Sequence, residues 1–295
     1  MIMYILLVLG IFLLIKGADF LVDSASALSQ KFYISPFFIG LTIVALGTSL
    51  PEFMVAIFSS LQQQSDIILG NVIGSNIANM FFVLGVSGLF SVLSMQQARH
   101  DMILSFYATV LTLILALFFP TYTYILFFVF LLYVYSITQR KKIDVPQEPA
   151  HMSTLKMYGY FFIGLGMLLL GGHLTIDSVI SIATQWHIST YVLSFFLIAL
   201  GTSLPELVTF LVAIKKKQYH MGIGNIVGSN IFNILFVLGF SGFLTTFTYS
   251  FFHIIDIVCI ACITLLLYTQ QHLHRIHGVV LVTLYVLYML FIFLR

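Results

Sequence analysis

An ungapped internal duplication limits this chain more than any other feature. Ala45-Leu46-Gly47-Thr48-Ser49-Leu50-Pro51-Glu52 recurs, all eight residues identical, as Ala199-Leu200-Gly201-Thr202-Ser203-Leu204-Pro205-Glu206, an offset of 206 − 52 = 154 positions. The same offset carries Gly17 to Gly171, Asp23-Ser24 to Asp177-Ser178 and Ile34-Ser35 to Ile188-Ser189. Downstream it carries Gly70-Asn71 to Gly224-Asn225, Gly74-Ser75-Asn76-Ile77 to Gly228-Ser229-Asn230-Ile231, Asn79 to Asn233, and Val83-Leu84-Gly85 to Val237-Leu238-Gly239. Two halves that repeat without a gap build the same unit twice and bury it against itself.

The medium follows from composition. Of 295 residues, 60% are hydrophobic and 7% charged, where soluble domains carry about 25% charged residues. The chain reads as a polytopic helical membrane protein whose surroundings are a lipid bilayer. A net charge of +2 with no basic face gives no nucleic-acid partner, and no protein partner is evident. Cys259 and Cys262 form a CxxC within an apolar run; a structural zinc site needs about four ligands and no second pair exists, so they read as small helix residues. Residues 3–15 with Ala25-Ser26-Ala27 imitate a signal peptide, but no basic segment precedes them and the repeat gives them a counterpart deep in the chain, so the reading is a retained helix.

Apolar runs broken by polar loops predict helices near 3–28, 35–61, 67–93, 102–119 and 122–138, then 157–183, 189–214, 221–246, 251–269 and 276–294. The expected fold is therefore all-α, with ten transmembrane helices as two inverted five-helix repeats: 1–138, a cytoplasmic connector at 139–156, and 157–295. Lys31, Arg99, the group Arg140, Lys141, Lys142 and Lys156, the group Lys215, Lys216 and Lys217, and Arg275 all follow odd-numbered helices. Connections after helices two, four, six and eight carry no Lys or Arg. That bias puts both termini outside. An odd span count per half inverts the second copy, which places a site at the midplane between halves.

The duplicated octapeptide carries an acid into an apolar run, at a cost of about 2.5–3.5 kcal/mol on insertion scales. Gly47 and Pro51 interrupt helix bonding and free carbonyls. Thr48 and Ser49 share a helix face with Glu52. In the second motif, GNVIGSNIAN and GNIVGSNIFN, Ser75 and Asn79 lie four apart, as do Ser229 and Asn233. The glycines allow close helix approach as well as local bending, while amides in lipid need partners. Inverted symmetry brings together Glu52, Glu206, Asn79, Asn233, the Ser and Thr hydroxyls, and carbonyls near Ala45, Thr48, Ala199 and Thr202. All are oxygen donors, with no thiolate and no His within either motif, which suits calcium or sodium and argues against zinc, copper or iron.

Other polar residues carry less. Asp23 and Asp177 read as pairing or capping near helix ends rather than gating. Asp19, three residues after Lys16, is expected to neutralise it. His173, the counterpart of Asp19, reads as structural. His272, His274 and His277 read as a solvated turn rather than a metal tract. HExxH is absent and no nucleophile–base pair is found, so the chain is not read as an enzyme and no cofactor is expected. A passive channel fits paired broken helices less well than alternating access does.

The GTSLPE and GNxxGSN motifs resemble the cation/calcium exchanger superfamily, particularly its compact prokaryotic sodium/calcium exchangers, over essentially the whole chain. The resemblance implies a ten-helix fold with its site on helices 2, 3, 7 and 8, helices 1 and 6 sliding to alternate access, and a prokaryotic plasma (inner) membrane location. It implies that Glu52 and Glu206 bind calcium with the carbonyls of Thr48 and Thr202. Ser49, Ser75 and the Ala45 carbonyl would form one sodium site; Ser203, Ser229 and the Ala199 carbonyl the other; Asn79 and Asn233 would line the centre. If three sodium ions replace one calcium, as the resemblance implies, export of calcium is electrogenic. The alternative on the same fold is calcium/proton antiport. Some relatives carry Asp where this chain has Asn233, and potassium-dependent members rely on extra acids. The larger members' cytosolic calcium-sensing domain has no room here.

Overall fold

A computed structural model describes residues 2–139, 152–186 and 201–294. The described helices are α1 (Ile2–Phe32), α2 (Pro36–Thr48 continued after a bend by Leu50–Leu61), α3 (Ser65–Phe90), α4 (Arg99–Phe118) and α5 (Ile125–Thr138). After them come α6 (Thr154–Gln185), α7 (Leu204–Lys215), α8 (Tyr219–Ser241), α9 (Phe251–Thr269) and α10 (Arg275–Leu294). Among the described residues, eight helices are long and apolar enough to cross a membrane, and the bent α2 makes a ninth. The expected first half of the seventh helix, with Ala199, lies outside the described residues, as does most of the expected connector at 139–156.

Two expected helix ends move. The predicted 67–93 stops at Phe90, because Leu93–Ser94 (β1) leaves the helix to pair antiparallel with His272–Leu273 (β2). The predicted 221–246 stops at Ser241, because the chain beyond it bonds elsewhere: the Leu244 carbonyl accepts from Gln63 Nε2 at 2.9 Å and the Thr245 hydroxyl donates to Gln63 Oε1 at 3.0 Å. The predicted 122–138 begins later, at Ile125, because Tyr122 closes a 3₁₀ turn over Pro120–Tyr122 ahead of α5.

The connections sort into two ends. At one, Gln63 meets Leu244 and Thr245, Ser65 meets Thr248 at 3.3 Å, and Thr123 meets Tyr249 at 3.2 Å. At the other, Lys31 Nζ donates to Thr154 Oγ1 at 2.6 Å, Gln218 Nε2 donates to Ser26 Oγ at 3.3 Å, and the β1–β2 pair packs near the start of α8. The described connections bearing Lys or Arg gather at this second end, and those without them at the first, as the charge bias requires. It follows that α1 and α6, related by the repeat, run in opposite directions, and so do α3 and α8.

Burial is inverted relative to a soluble protein. In their most apolar stretches α3 and α8 are 78% and 89% buried, while the other long helices are 22–44% buried. Large apolar side chains such as Val8, Phe12, Phe162 and Leu287 face outward and are exposed. The central helices instead bury Asn71, Asn76, Asn79, Asn225, Asn230 and Asn233. Polar groups collect where protein, not hydrocarbon, supplies partners. α1 and α6 pack antiparallel through glycines, Gly17 on Gly164 and Gly10 on Gly171; a Cβ on Gly17 would lie 2.7 Å from the Gly164 carbonyl oxygen. These contacts exchange the two repeat-related pairs, Gly10 with Gly164 and Gly17 with Gly171. The α1–α6 pair meets the remainder of the protein through a small core of its own, separate from the main one.

Candidate cation site at the centre of the repeats

The breaks that build the site come from the sequence. Pro51 has no N–H to offer the Gly47 carbonyl, and Ser49 adopts φ −87°, ψ 10°, bending α2 by 44°. Ser203 repeats this at φ −86°, ψ 3° ahead of Pro205. A new helical segment then starts on each side, with Glu52 and Glu206 in its first turn, where free N–H groups and the positive end of the helix dipole favour an anion. π-helical turns widen α2 at Gly40–Val44, α3 at Ala78–Val83 and α8 at Phe232–Leu238. Such turns re-aim side chains and frequently mark functional sites. Asn79 and Asn233 lie within the last two.

Hydroxyls and amides cross-link the halves. Thr48 Oγ1 lies 3.1 Å from Asn225 Oδ1 and 3.4 Å from Ser229 Oγ. On the opposite side Ser75 Oγ and Thr202 Oγ1 are 2.9 Å apart. Ser49 and Ser229 both donate to Glu206 Oε1, each at 3.4 Å. Asn71 Nδ2 donates to the Glu52 carbonyl at 2.9 Å, and the Ala45 carbonyl accepts from Ser49 N–H at 3.0 Å. Asn76 Nδ2 donates to the Asn230 carbonyl at 3.2 Å, and Asn230 Nδ2 returns the bond to the Asn76 carbonyl at 3.4 Å. Asn79 Nδ2 donates to Asn230 Oδ1 at 3.0 Å, and Asn233 Nδ2 to Asn76 Oδ1 at 3.2 Å.

What these bonds leave over is mainly acceptor oxygen, with the Asn225 amide nitrogen the one unpartnered amide donor among the motif asparagines. Both Glu52 carboxylate oxygens, Glu206 Oε2, Asn71 Oδ1, Asn79 Oδ1 and Asn233 Oδ1 are buried acceptors with no donor, and the Ser203 hydroxyl has no partner either. Glu52, Glu206, Asn79 and Asn233 are fully buried. No salt bridge reaches Glu52 or Glu206 among the described residues. Nor do those residues gather three His, Cys, Asp or Glu as a transition-metal site would.

Of the residues singled out from sequence, Thr48, Ser49, Glu52, Ser75, Asn79, Thr202, Ser203, Glu206, Ser229 and Asn233 all lie buried or half-buried on the elements around this centre; Ala45 lies on its α2 flank, and Ala199 is outside the described residues. Sequence reasoning passed over Asn71, Asn76, Asn225 and Asn230, although each recurs at the repeat offset within the second motif. Away from the centre, Lys216 Nζ pairs with Asp23 at 2.8 Å and with Asp19 at 3.3 Å, closer than Lys16 at 3.9 Å. His173 pairs with Asp177 at 3.2 Å. His277 Nδ1 accepts from the His274 N–H at 2.9 Å in the turn before α10.

The chain is similar to known proteins in sequence and in structure. The chain is 34% identical over 258 residues to the putative antiporter CaxA of Alkalimonas amylolytica, covering 80% of this chain and 78% of that protein. It is 30% identical over 289 residues to the sodium/calcium exchanger MaX1 of Methanosarcina acetivorans, covering 81% and 82%. The structure superposes on that of the sodium-calcium exchanger NCX_Mj, soaked with 2.5 mM Na+ and 10 mM Sr2+, with a TM-score of 0.85 at 28% identity over 97% of each chain. The profile of the family described as sodium/calcium exchanger protein matches residues 2–142 and again 156–294, one stretch in each half. With its duplicated acidic motifs, its central helices and nearly all its length matched in this way, the chain belongs to the sodium/calcium exchanger family of multi-pass membrane antiporters.

Proposed function

We propose that the chain is a ten-helix, inverted-repeat antiporter that moves calcium out of a prokaryotic cell in exchange for sodium, with both termini outside. The observation that carries this is the set of buried oxygens without donors: two from Glu52, one from Glu206 and one each from Asn71, Asn79 and Asn233. Left bare in a dry interior, an unpaired carboxylate costs several kcal/mol. A hard cation removes that cost, and calcium takes about six to eight oxygen ligands. The carbonyls of Thr48 and Thr202 would complete the shell.

Charge sets the exchange. Glu52 and Glu206 supply two negative charges, which one calcium or two sodium ions balance. Ser49, Ser75, Ser203 and Ser229, with the carbonyls of Ala45 and Ala199, are the proposed flanking ligands for sodium. If three sodium ions replace one calcium, the ratio the resemblance implies, each cycle moves one net positive charge and transport is electrogenic. Cations that need the same two carboxylates cannot bind together, and this competition couples their fluxes. α1 and α6, joined mainly to each other, are the elements proposed to slide past the site.

Calcium uptake into proteoliposomes tests the reading, with sodium and pH gradients imposed separately. An outward sodium gradient alone drives uptake if the reading is right. Uptake driven only by a pH gradient would replace sodium with protons as the counter-ion.

A further inference from the structure

We infer that Asn76 and Asn230, which touch no cation in the proposed site, decide which end of Asn79 and Asn233 faces it. This rests on the reading of the centre as a cation site and adds positioning residues to it. An asparagine amide has an acceptor end and a donor end of nearly equal size. The oxygen binds a cation; the NH2, with its partial positive charge, repels one. Shape alone does not choose between the two orientations.

The hydrogen bonds do choose. A backbone carbonyl cannot turn over, and each of Asn76 and Asn230 donates its Nδ2 to the other's backbone carbonyl, at 3.2 and 3.4 Å. That leaves their Oδ1 atoms free to accept from a neighbouring amide. Asn233 Nδ2 is held by Asn76 Oδ1 at 3.2 Å, and Asn79 Nδ2 by Asn230 Oδ1 at 3.0 Å. The remaining end of each amide is then an oxygen, and both Asn79 Oδ1 and Asn233 Oδ1 are buried without a donor. All four residues are fully buried, so bulk water offers no alternative partner. A flipped Asn233 would set its oxygen against Asn76 Oδ1 and its NH2 toward the carboxylates' cation. The arrangement is reciprocal: a residue of α3 orients the amide of α8, and a residue of α8 orients that of α3.

A double-mutant cycle on purified, lipid-reconstituted protein separates orientation from mere packing. Calcium binding is titrated for wild type, Asn76→Ala, Asn233→Asp and the double variant, with thermal unfolding in the absence of calcium as the control for folding. Asn76→Ala frees the Asn233 amide to turn, and calcium binding weakens about tenfold, the worth of one buried hydrogen bond. An aspartate at 233 presents oxygen at both ends, so in that background the alanine costs less than about threefold. Asn230→Ala with Asn79→Asp repeats the cycle from the other helix, and affinities are compared at a temperature where every variant is folded. Equal losses in both backgrounds, or no loss from either alanine, overturn the inference while leaving the cation site standing. A wild-type protein that binds no calcium overturns the cation reading itself.

Discussion

Replacing Glu52 by glutamine removes one charge and almost no volume. The carboxylate is fully buried and no cationic side chain pairs with it among the described residues, so its charge is not shared between a protein cation and a bound ion. At ~3 Å from a divalent ion, with an effective dielectric constant of ~20, one carboxylate contributes about 11 kcal/mol of attraction. Its removal also relieves about 3 kcal/mol of repulsion from a second carboxylate ~5 Å away. Even if hydration of the displaced ion returns two-thirds of the difference, roughly 2.7 kcal/mol remains, a loss of about a hundredfold in calcium affinity. Thermal unfolding with and without calcium reads this. At a calcium concentration about a hundred times its Kd the wild type gains about 2.7 kcal/mol, while Glu52→Gln at the same concentration gains about 0.4. Without calcium the variant is at least as stable as wild type, because a buried, unbonded charge has gone. A variant whose calcium-induced shift matches the wild type refutes the placement of Glu52 in the site.

Three further outcomes are expected. Reporter fusions at Arg140 and at the C-terminus fall on opposite sides of the membrane; the same side for both would undo the inverted repeat. Gly17→Leu drives a side chain into the backbone of α6, where a Cβ already lies 2.7 Å from the Gly164 carbonyl oxygen and 2.8 Å from the Leu168 nitrogen. It costs about 1–3 kcal/mol in thermal stability, and a neutral result would mean that α1 and α6 do not pack in this register. Lys216→Gln removes ion pairs of 2.8 and 3.3 Å to Asp23 and Asp19. Because these groups are partly exposed the loss is about 0.5–1 kcal/mol; a drop several times larger would show that the latch between α1 and the end of α7 is not a surface contact.

The residues that carry charge and oxygen were legible because the chain writes them twice. Glu52 and Glu206, Ser75 and Ser229, and Asn79 and Asn233 stand out by recurring at one offset inside apolar runs, where a polar side chain needs a reason. Gly17 and Gly171 stood out only as repeat partners; that they pack on Gly164 and Gly10, pairing α1 with α6, was not legible. The strand pair of Leu93–Ser94 with His272–Leu273 was not, since two residues show no periodicity and the partners lie far apart in sequence. The π-helical turns at Ala78–Val83 and Phe232–Leu238 were equally hidden, because a run that is apolar apart from one Asn shows no change of period when a turn widens. Asn76 and Asn230 were visible as repeated letters, but their role required knowing that α3 and α8 cross at that level. Lys216 was read as a loop cation. Its reach to Asp19 and Asp23 depends on α1 passing beside the end of α7, which no local pattern encodes.

The central claim is that calcium and sodium need the same two buried carboxylates. Calcium binding to the purified protein, measured as sodium is raised at constant ionic strength and pH, tests it most directly. The account predicts that sodium weakens calcium binding steeply, with more than one sodium ion displacing each calcium, while the number of calcium sites stays fixed. Calcium affinity that does not change with sodium would contradict it.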